Sequence, residues 1–273
     1  MHIYVGGIGL CGPGLEGWGN SLPVLSGAAP YEPAPLRVPP AATLPANERR
    51  RAIQTVKLAL AVGAEAFAAA NRDPAVTATV FASSGGDGET IHEILKVLAS
   101  AQRELSPTRF HNSVHNTPAG YWTIAVGARA ASNSICCHDD SFAAGLLEAA
   151  TQVRVTQQPV ALIAYDVPYP SPLGDVRRLG APFAVALVLT PTPDATTTAR
   201  IELALETESA APSTVALPEL ETLRQNTPAA RSLPLLVALA SGRAAALMLS
   251  YLEDMALRIS IEPVRDTTRE VAA

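Results

Sequence analysis

Residues 110–153 read FHNSVHNTPAGYWTIAVGARAASNSICCHDDSFAAGLLEAATQV, and they set the reading of the whole chain. Thr117–Arg129 carries a helical pattern with Asn116 or Thr117 as its N-cap, and its two glycines, Gly120 and Gly127, predict close packing against a neighbour. Ser132–Cys137 follows as a short strand and Ser141–Val153 as a second helix. Between them lies the densest polar run of the chain, Cys136-Cys137-His138-Asp139-Asp140-Ser141. A strand-to-helix turn suits a nucleophile, because the helix N-terminus stabilises negative charge. Consecutive side chains diverge, however, so few of these groups can converge on one metal ion, and a Cys–His dyad fails for the same reason. The plain reading is that Asp139 or Asp140 caps the following helix. His111 and His115 read as surface loop residues.

Working outwards, strands alternate with helices. His2–Leu10 is a buried first strand, broken by Cys11-Gly12-Pro13-Gly14. Residues 22–47, rich in proline and alanine, read as a loop over the surface rather than part of the core. A long helix runs from Asn47 to Ala70, with Ile53, Val56, Leu60, Ala61 and Ala64 on one face. Val76–Ala82 is a strand ending in SSGGDG at 83–88, which opens a helix from about Glu89 to Glu104 with Ile91, Ile94, Leu95 and Leu98 as its apolar stripe. That turn lacks GK[ST] and GxGxxG spacing, so a tight strand-to-helix turn is preferred to an anion cradle. Residues 105–116 are loop-like, and Val160–Tyr165 and Ala184–Thr190 are wholly apolar strands. After a break at Pro191–Asp194 come a strand at Ile201–Leu205, helices at Leu217–Gln225 and Pro228–Leu239, and closing strands at Ala244–Ser250 and Met255–Ile261. The tail from Glu262 reads as loose. This alternation gives an α/β layer architecture whose sheet is covered on both faces.

The composition narrows the function classes. A chain of 273 residues with 48% hydrophobic and 16% charged residues can bury a large core, which excludes wholesale disorder. A net charge of −5, with Arg49-Arg50-Arg51 the one cluster of three basic residues, argues against a protein that coats nucleic acid. Cys11 and the vicinal pair Cys136-Cys137 make neither a disulfide framework nor a zinc spacing. The first residues lack the basic and apolar regions of a signal peptide. The most apolar stretch, Leu233–Leu252, is broken by Ser241, Gly242 and Arg243; a central charge costs about 3 kcal/mol on insertion scales, so no membrane helix is expected. The expected location is the cytoplasm. There is no GxSxG elbow, no histidine follows His138 and no lysine follows Lys96, so imidazole or amine chemistry falls to the first half of the chain.

The order of these motifs resembles the N-terminal half of a β-ketoacyl synthase. In that family an "N…AAG.IA..LGA.GP…SI" helix and strand lead into a TACSSG elbow and then an "A…A..AI..G" helix; Asn116–Arg129, Ser134-Ile135 and Ala143–Val153 take those places. Tyr4–Gly9 with Gly12 and Gly14 is similar to the family's opening strand, Arg49-Arg50-Arg51 to its "RR" element, and Phe81–Gly85 to its "GSG.GG" turn. Val160–Asp166 and Gly180–Leu189 are similar to the two strands that close the half. The resemblance implies a thiolase-like layered αβα fold, with a largely complete ketosynthase-like N-terminal domain over residues 1–190 and a truncated C-terminal remnant over 191–273 packed on the same core.

The departures are more informative. In this frame Asp139, give or take one residue, stands where the family's nucleophilic cysteine stands, with Cys137, His138 and Asp140 as neighbours. A carboxylate is a weaker nucleophile than a thiolate and repels the developing charge of a thioester carbonyl. The two histidines and the lysine of the family's C-terminal half have no counterpart. The resemblance therefore implies a non-catalytic, chain-length-factor-type subunit, not an enzyme by itself, similar to the short forms of aryl-polyene and xanthomonadin-type biosynthesis clusters. Such a subunit pairs with an active β-ketoacyl synthase, shapes its acyl-chain tunnel and meets acyl carrier protein indirectly, with no cofactor and no metal. Tyr121, Trp122, Ser134, Ile135 and Cys136 are the expected interface residues, since buried aromatics dominate interface energetics. Two alternatives stay open: a stand-alone acyl-thioester transferase or hydrolase using His138 with Asp139 or Asp140, and a homodimeric acyl-binding module.

Overall fold

The computed structural model describes residues 1–207 and 211–264. Its strands are β1 (His2–Gly12), β2 (Leu15–Glu16), β3 (Ala78–Ala82), β4 (Ser132–Ile135), β5 (Val160–Asp166), β6 (Phe183–Thr190), β7 (Ala199–Glu206), β8 (Ala245–Ser250) and β9 (Ala256–Pro263). Among the described residues they form one sheet in the order β4-β3-β5-β6-β1-β7-β9-β8, with β2 folded back on β1. β4, β3 and β5 are parallel, β6 runs antiparallel between β5 and β1, and β7, β9 and β8 continue antiparallel. The boundary expected near residue 190 falls in the connection between β6 and β7, both of which pair with β1.

Two apolar layers sandwich the first part of the sheet. On one face the Ser141–Thr156 and Leu233–Ser241 helices pack with Phe142, Leu146, Leu233 and Leu236 against Val160, Leu162, Leu187 and Ile201. On the other, the Gln54–Ala69 and Thr117–Val126 helices pack Val62, Phe67 and Trp122 against Phe81, Ile163 and Ala186. A Cβ at Gly7 or Gly9 would collide with the backbone of the Gln54–Ala69 helix, so β1 lies directly on that helix. Glu65 of the same helix pins the strand, accepting from Leu10 N at 2.9 Å and Trp18 N at 2.5 Å.

Several expectations need correction. Double coverage ends at β1: β7, β9 and β8 alternate buried and accessible residues, because the second layer does not extend over them. The long helix is broken by extended backbone at Ala52 and Ile53, and the freed Arg51 carbonyl accepts from Asn112 Nδ2 at 3.0 Å. The 22–47 segment contains the end of a Trp18–Leu25 helix and buries Leu25, Ala41 and Leu44. Its middle is tied to the end of β1 by Tyr31 Oη donating to Pro13 O (2.8 Å) and Gly14 N to Ala34 O (3.0 Å). Residues 107–112 form a helix capped by Ser106. Of the Gly88–Ala99 helix only Ile94 among the expected stripe is buried; Leu95 and Leu98 are 57% and 43% exposed. Residues 265–273, most of the expected tail, lie outside the described residues.

Candidate functional site

The carboxyl ends of β3, β4 and β5 meet at the polar turn, where ligands collect in sheets of this kind. β4 ends at Ile135; Cys137 is followed by His138, whose φ of 48° puts a non-glycine residue in the left-handed region, and a short 3₁₀ turn leads into the Ser141–Thr156 helix. This is a sharp strand-to-helix elbow. Neither carboxylate caps the helix as expected. Ser141 closes the turn instead: its hydroxyl accepts from Cys137 N (3.0 Å) and donates to His138 O (2.7 Å).

The carboxylates are engaged elsewhere. Arg177 Nη2 donates to Asp139 Oδ1 at 2.8 Å, and Arg231 spans both acids, reaching Asp140 Oδ1 at 2.8 Å and Asp139 Oδ2 at 3.2 Å. The Leu252 amide donates to Asp140 Oδ2 at 3.2 Å. Burial works against the Asp139 charge, but Arg177 and Arg231 outweigh it and hold the carboxyl below its usual range. His138 Nδ1 lies 3.6 Å from Asp139 Oδ1 with a largely exposed ring. The space around the acids, enclosed by Phe142, Arg224, Leu249 and Ser250, is a cavity of about 10 Å³. Cys136 is exposed, its Sγ 3.2 Å from Ser84 O; burial, with Asp140 and Cys136, pushes the Cys137 thiol up, away from the reactive thiolate.

Beside the elbow, Asp166 at the end of β5 is fully buried. It accepts from Ser84 N (2.8 Å), Ser84 Oγ (2.7 Å), Ser83 Oγ (3.3 Å) and Ala229 N (2.8 Å), tying the end of β3 to the Pro228–Ser232 turn. Burial nevertheless raises its carboxyl to about 6. The SSGGDG turn is a tight strand-to-helix turn: a Cβ at Gly85 or Gly88 would collide with Tyr169, and Asp87 caps the helix through Thr90 N at 2.8 Å. His115 is not a free surface residue, because its Nε2 lies 3.0 Å from Ser83 O. Arg177, Arg231 and Tyr169 were not legible as site residues; Ser141 stood in the polar run without a role, and Asp166 gave a signal only as the sole charge in VALIAYD.

The expected interface residues divide. Ser134 and Ile135 on β4, an edge strand among the described residues, and Cys136 just after it are at least partly accessible. Tyr121 and Trp122 are not presented outwards: they are 1% and 2% exposed, with Trp122 stacked on Phe67 at 5.4 Å. The helix is apolar nearly all round, so its pattern names no inner face; Gly120, Thr123 and Ile124 point out instead. Gly120 has no neighbour within 4 Å, and Gly127 (φ 65°) is the left-handed C-cap, so neither glycine marks close packing within the chain. Between that helix and β4 runs a groove of about 510 Å³ lined by His115, Asn116, Gly120, Thr123, Ser132 and Ser134.

The family described as β-ketoacyl synthase, N-terminal domain, matches residues 26–251, well past the end of β6. The chain belongs to the β-ketoacyl synthase family. No curated protein matches it by sequence. Among solved structures it is similar to a chain of the ketosynthase ApeO in complex with its chain length factor ApeC from Xenorhabdus doucetiae, at 24% identity and a TM-score of 0.72, covering 95% of this chain and 99% of that one. It is also similar to a chain of the AntDE:AntF complex, a type II polyketide synthase acyl-carrier protein with its ketosynthase (12% identity, TM-score 0.75, 96% and 99% covered). Against the module 6 ketosynthase of the Bacillus subtilis bacillaene synthase, 83% of this chain covers 44% of that one, at 14% identity and a TM-score of 0.57. The ketosynthase fold read from the motifs therefore holds. Among the described residues no helix is long and apolar enough to cross a membrane.

Proposed function

We propose that this chain is a non-catalytic, chain-length-factor-type subunit that pairs with an active β-ketoacyl synthase and shapes the tunnel of its growing acyl chain. The elbow is the observation that carries this reading. Where the family's motif places a cysteine, Asp139 is held ionised by two guanidinium groups beside a cavity too small for an acyl thioester. Attack by that carboxylate would break two charge-assisted hydrogen bonds and place negative charge beside a second acid, Asp140. His138 offers no better route, since its aspartate partner is already bound by Arg177.

The surface supports a partner of the same family. β4 ends the sheet with one side unpaired among the described residues, whereas Ser213 covers part of the opposite edge by donating to Met248 O at 2.8 Å. An unpaired edge is a template for a strand of another chain. The adjoining groove, lined mostly by polar side chains, and exposed Ile124 on the Thr117–Val126 helix leave this side accessible, and Leu95, Leu98, Phe110 and Val114 are further exposed apolar residues. The likeness to the ApeO–ApeC and AntDE:AntF chains agrees with such an assembly. Aryl-polyene-type synthesis in the cytoplasm is the corresponding setting.

Co-expression with a ketosynthase that has an intact cysteine elbow tests the pairing. One species of 1:1 stoichiometry is expected on size exclusion, and Ser134→Pro on β4 should disperse it while leaving this chain folded. Two separately eluting species, or a stable homodimer of this chain that ignores the ketosynthase, overturns the reading.

A further inference from the structure

The same turn carries a second inference, which holds or fails independently of any partner. We infer that Asp139 and Asp140 form a two-carboxylate latch that fastens the elbow to three later segments and closes it from within the chain. Arg177 brings the 167–182 loop, Arg231 the Pro228–Ser232 turn, and the Leu252 amide the corner between β8 and β9. The four charges balance, two acids against two guanidinium groups. All are partly buried, with side-chain exposures of 37% and 19% for the acids and 23% and 25% for the arginines. Partial burial and the bridging geometry of Arg231 distinguish this network from a solvated surface pair.

The backbone gives an independent sign of the latch. Only four non-glycine residues among those described have positive φ, and two of them flank it: His138 at 48° and Leu252 at 57°. Left-handed backbone is costly for side-chain-bearing residues and persists where the surroundings over-determine it. Ser141 holds the first through the His138 carbonyl, and Asp140 holds the second through the Leu252 amide. The β8–β9 corner needs such a tie, because Leu252 is half exposed and the strands it joins are covered on one face only. In this reading the acids act as positioning residues: they set where the last hairpin and the 167–182 loop rest over the elbow.

Hydrogen exchange of the full chain followed by mass spectrometry tests the latch. In Asp140→Asn, peptides covering 249–255 and 228–232 should exchange about tenfold faster or more, and β5 and β6 should keep wild-type protection. Leu252→Gly added to that variant should restore much of the protection at 249–255, since glycine holds the left-handed corner without help. If Asp140→Asn does not fold, Arg231→Gln, which removes one partner only, is scored the same way. Unchanged exchange at both segments in a folded variant overturns the latch, as does a loss of protection spread evenly over β5 and β6. Neither outcome touches the pairing, which is read from complex formation.

Discussion

The two ends of the sheet obey different rules. Every residue of β5 and β6 is buried, so both faces of these strands are packed and their sequences, VALIAYD and FAVALVLT, are almost uninterrupted apolar runs. Across β1 the same sheet continues into β7 and β9, where Ile201, Leu203, Ile259 and Ile261 face the core and Arg200, Glu202, Arg258 and Glu262 face outward. The outward residues pair across strands: Arg200 meets Glu262 at 2.8 Å and Arg258 meets Glu206 at 2.6 Å. One half is thus sustained by packing from two sides. The other rests on one packed face and leaves a solvated charge ladder on the other.

The largest effect should come where backbone meets backbone in the doubly covered half. Gly9→Ala places a methyl group against the Val62 carbonyl, and the strand and helix must separate; little folded protein is expected by circular dichroism of the purified chain. Ile163→Ala, at a fully buried position of β5 that faces the layer of the Gln54–Ala69 and Thr117–Val126 helices, should lower stability by about 3–4 kcal/mol in urea unfolding. A loss below about 1 kcal/mol would mean that the second layer contributes little and would erase the distinction between the halves.

Asp166 gives a pH-dependent version of the same comparison. Its folded value of about 6 lies above the ordinary aspartate value of 3.8, so its contribution to stability is fully present below pH 4 and is lost as pH rises from about 4 to 6. The expected loss is about 3 kcal/mol, read from urea midpoints across that range. Asp166→Asn, which does not ionise, should flatten that slope; an identical slope in the variant would show that the four hydrogen bonds fully offset burial. The smallest effect belongs to the open face. Arg258→Ala should leave the urea midpoint almost unchanged, and less changed still at high salt. A larger, salt-independent loss would show that this face is covered by something other than water.

What the sequence made legible follows the same division. Continuous apolar runs and turn residues placed β1, β3, β5 and β6 within a few residues, because burial on both faces leaves little room for other residue types. The order of motifs through residues 110–153 located the elbow and its acids. The partners of those acids were hidden, since Arg177 and Arg231 reach it from 38 and 92 positions away and a lone arginine in a loop has no pattern. Orientation was hidden too: the Thr117–Val126 helix is apolar nearly all round, so Tyr121 and Trp122 were equally plausible inside or outside. The stripe Ile91, Ile94, Leu95 and Leu98 was a sound helical pattern, yet most of it faces away from the chain's own core.

The central claim is that this chain is a silent member of a ketosynthase pair, and a native mass spectrum of the co-expressed complex, taken after incubation with an acyl carrier thioester, tests it most directly. A 1:1 complex is expected in which the ketosynthase gains the acyl mass and this chain gains none. Acyl mass on this chain, or its appearance only as a species free of the ketosynthase, would contradict it.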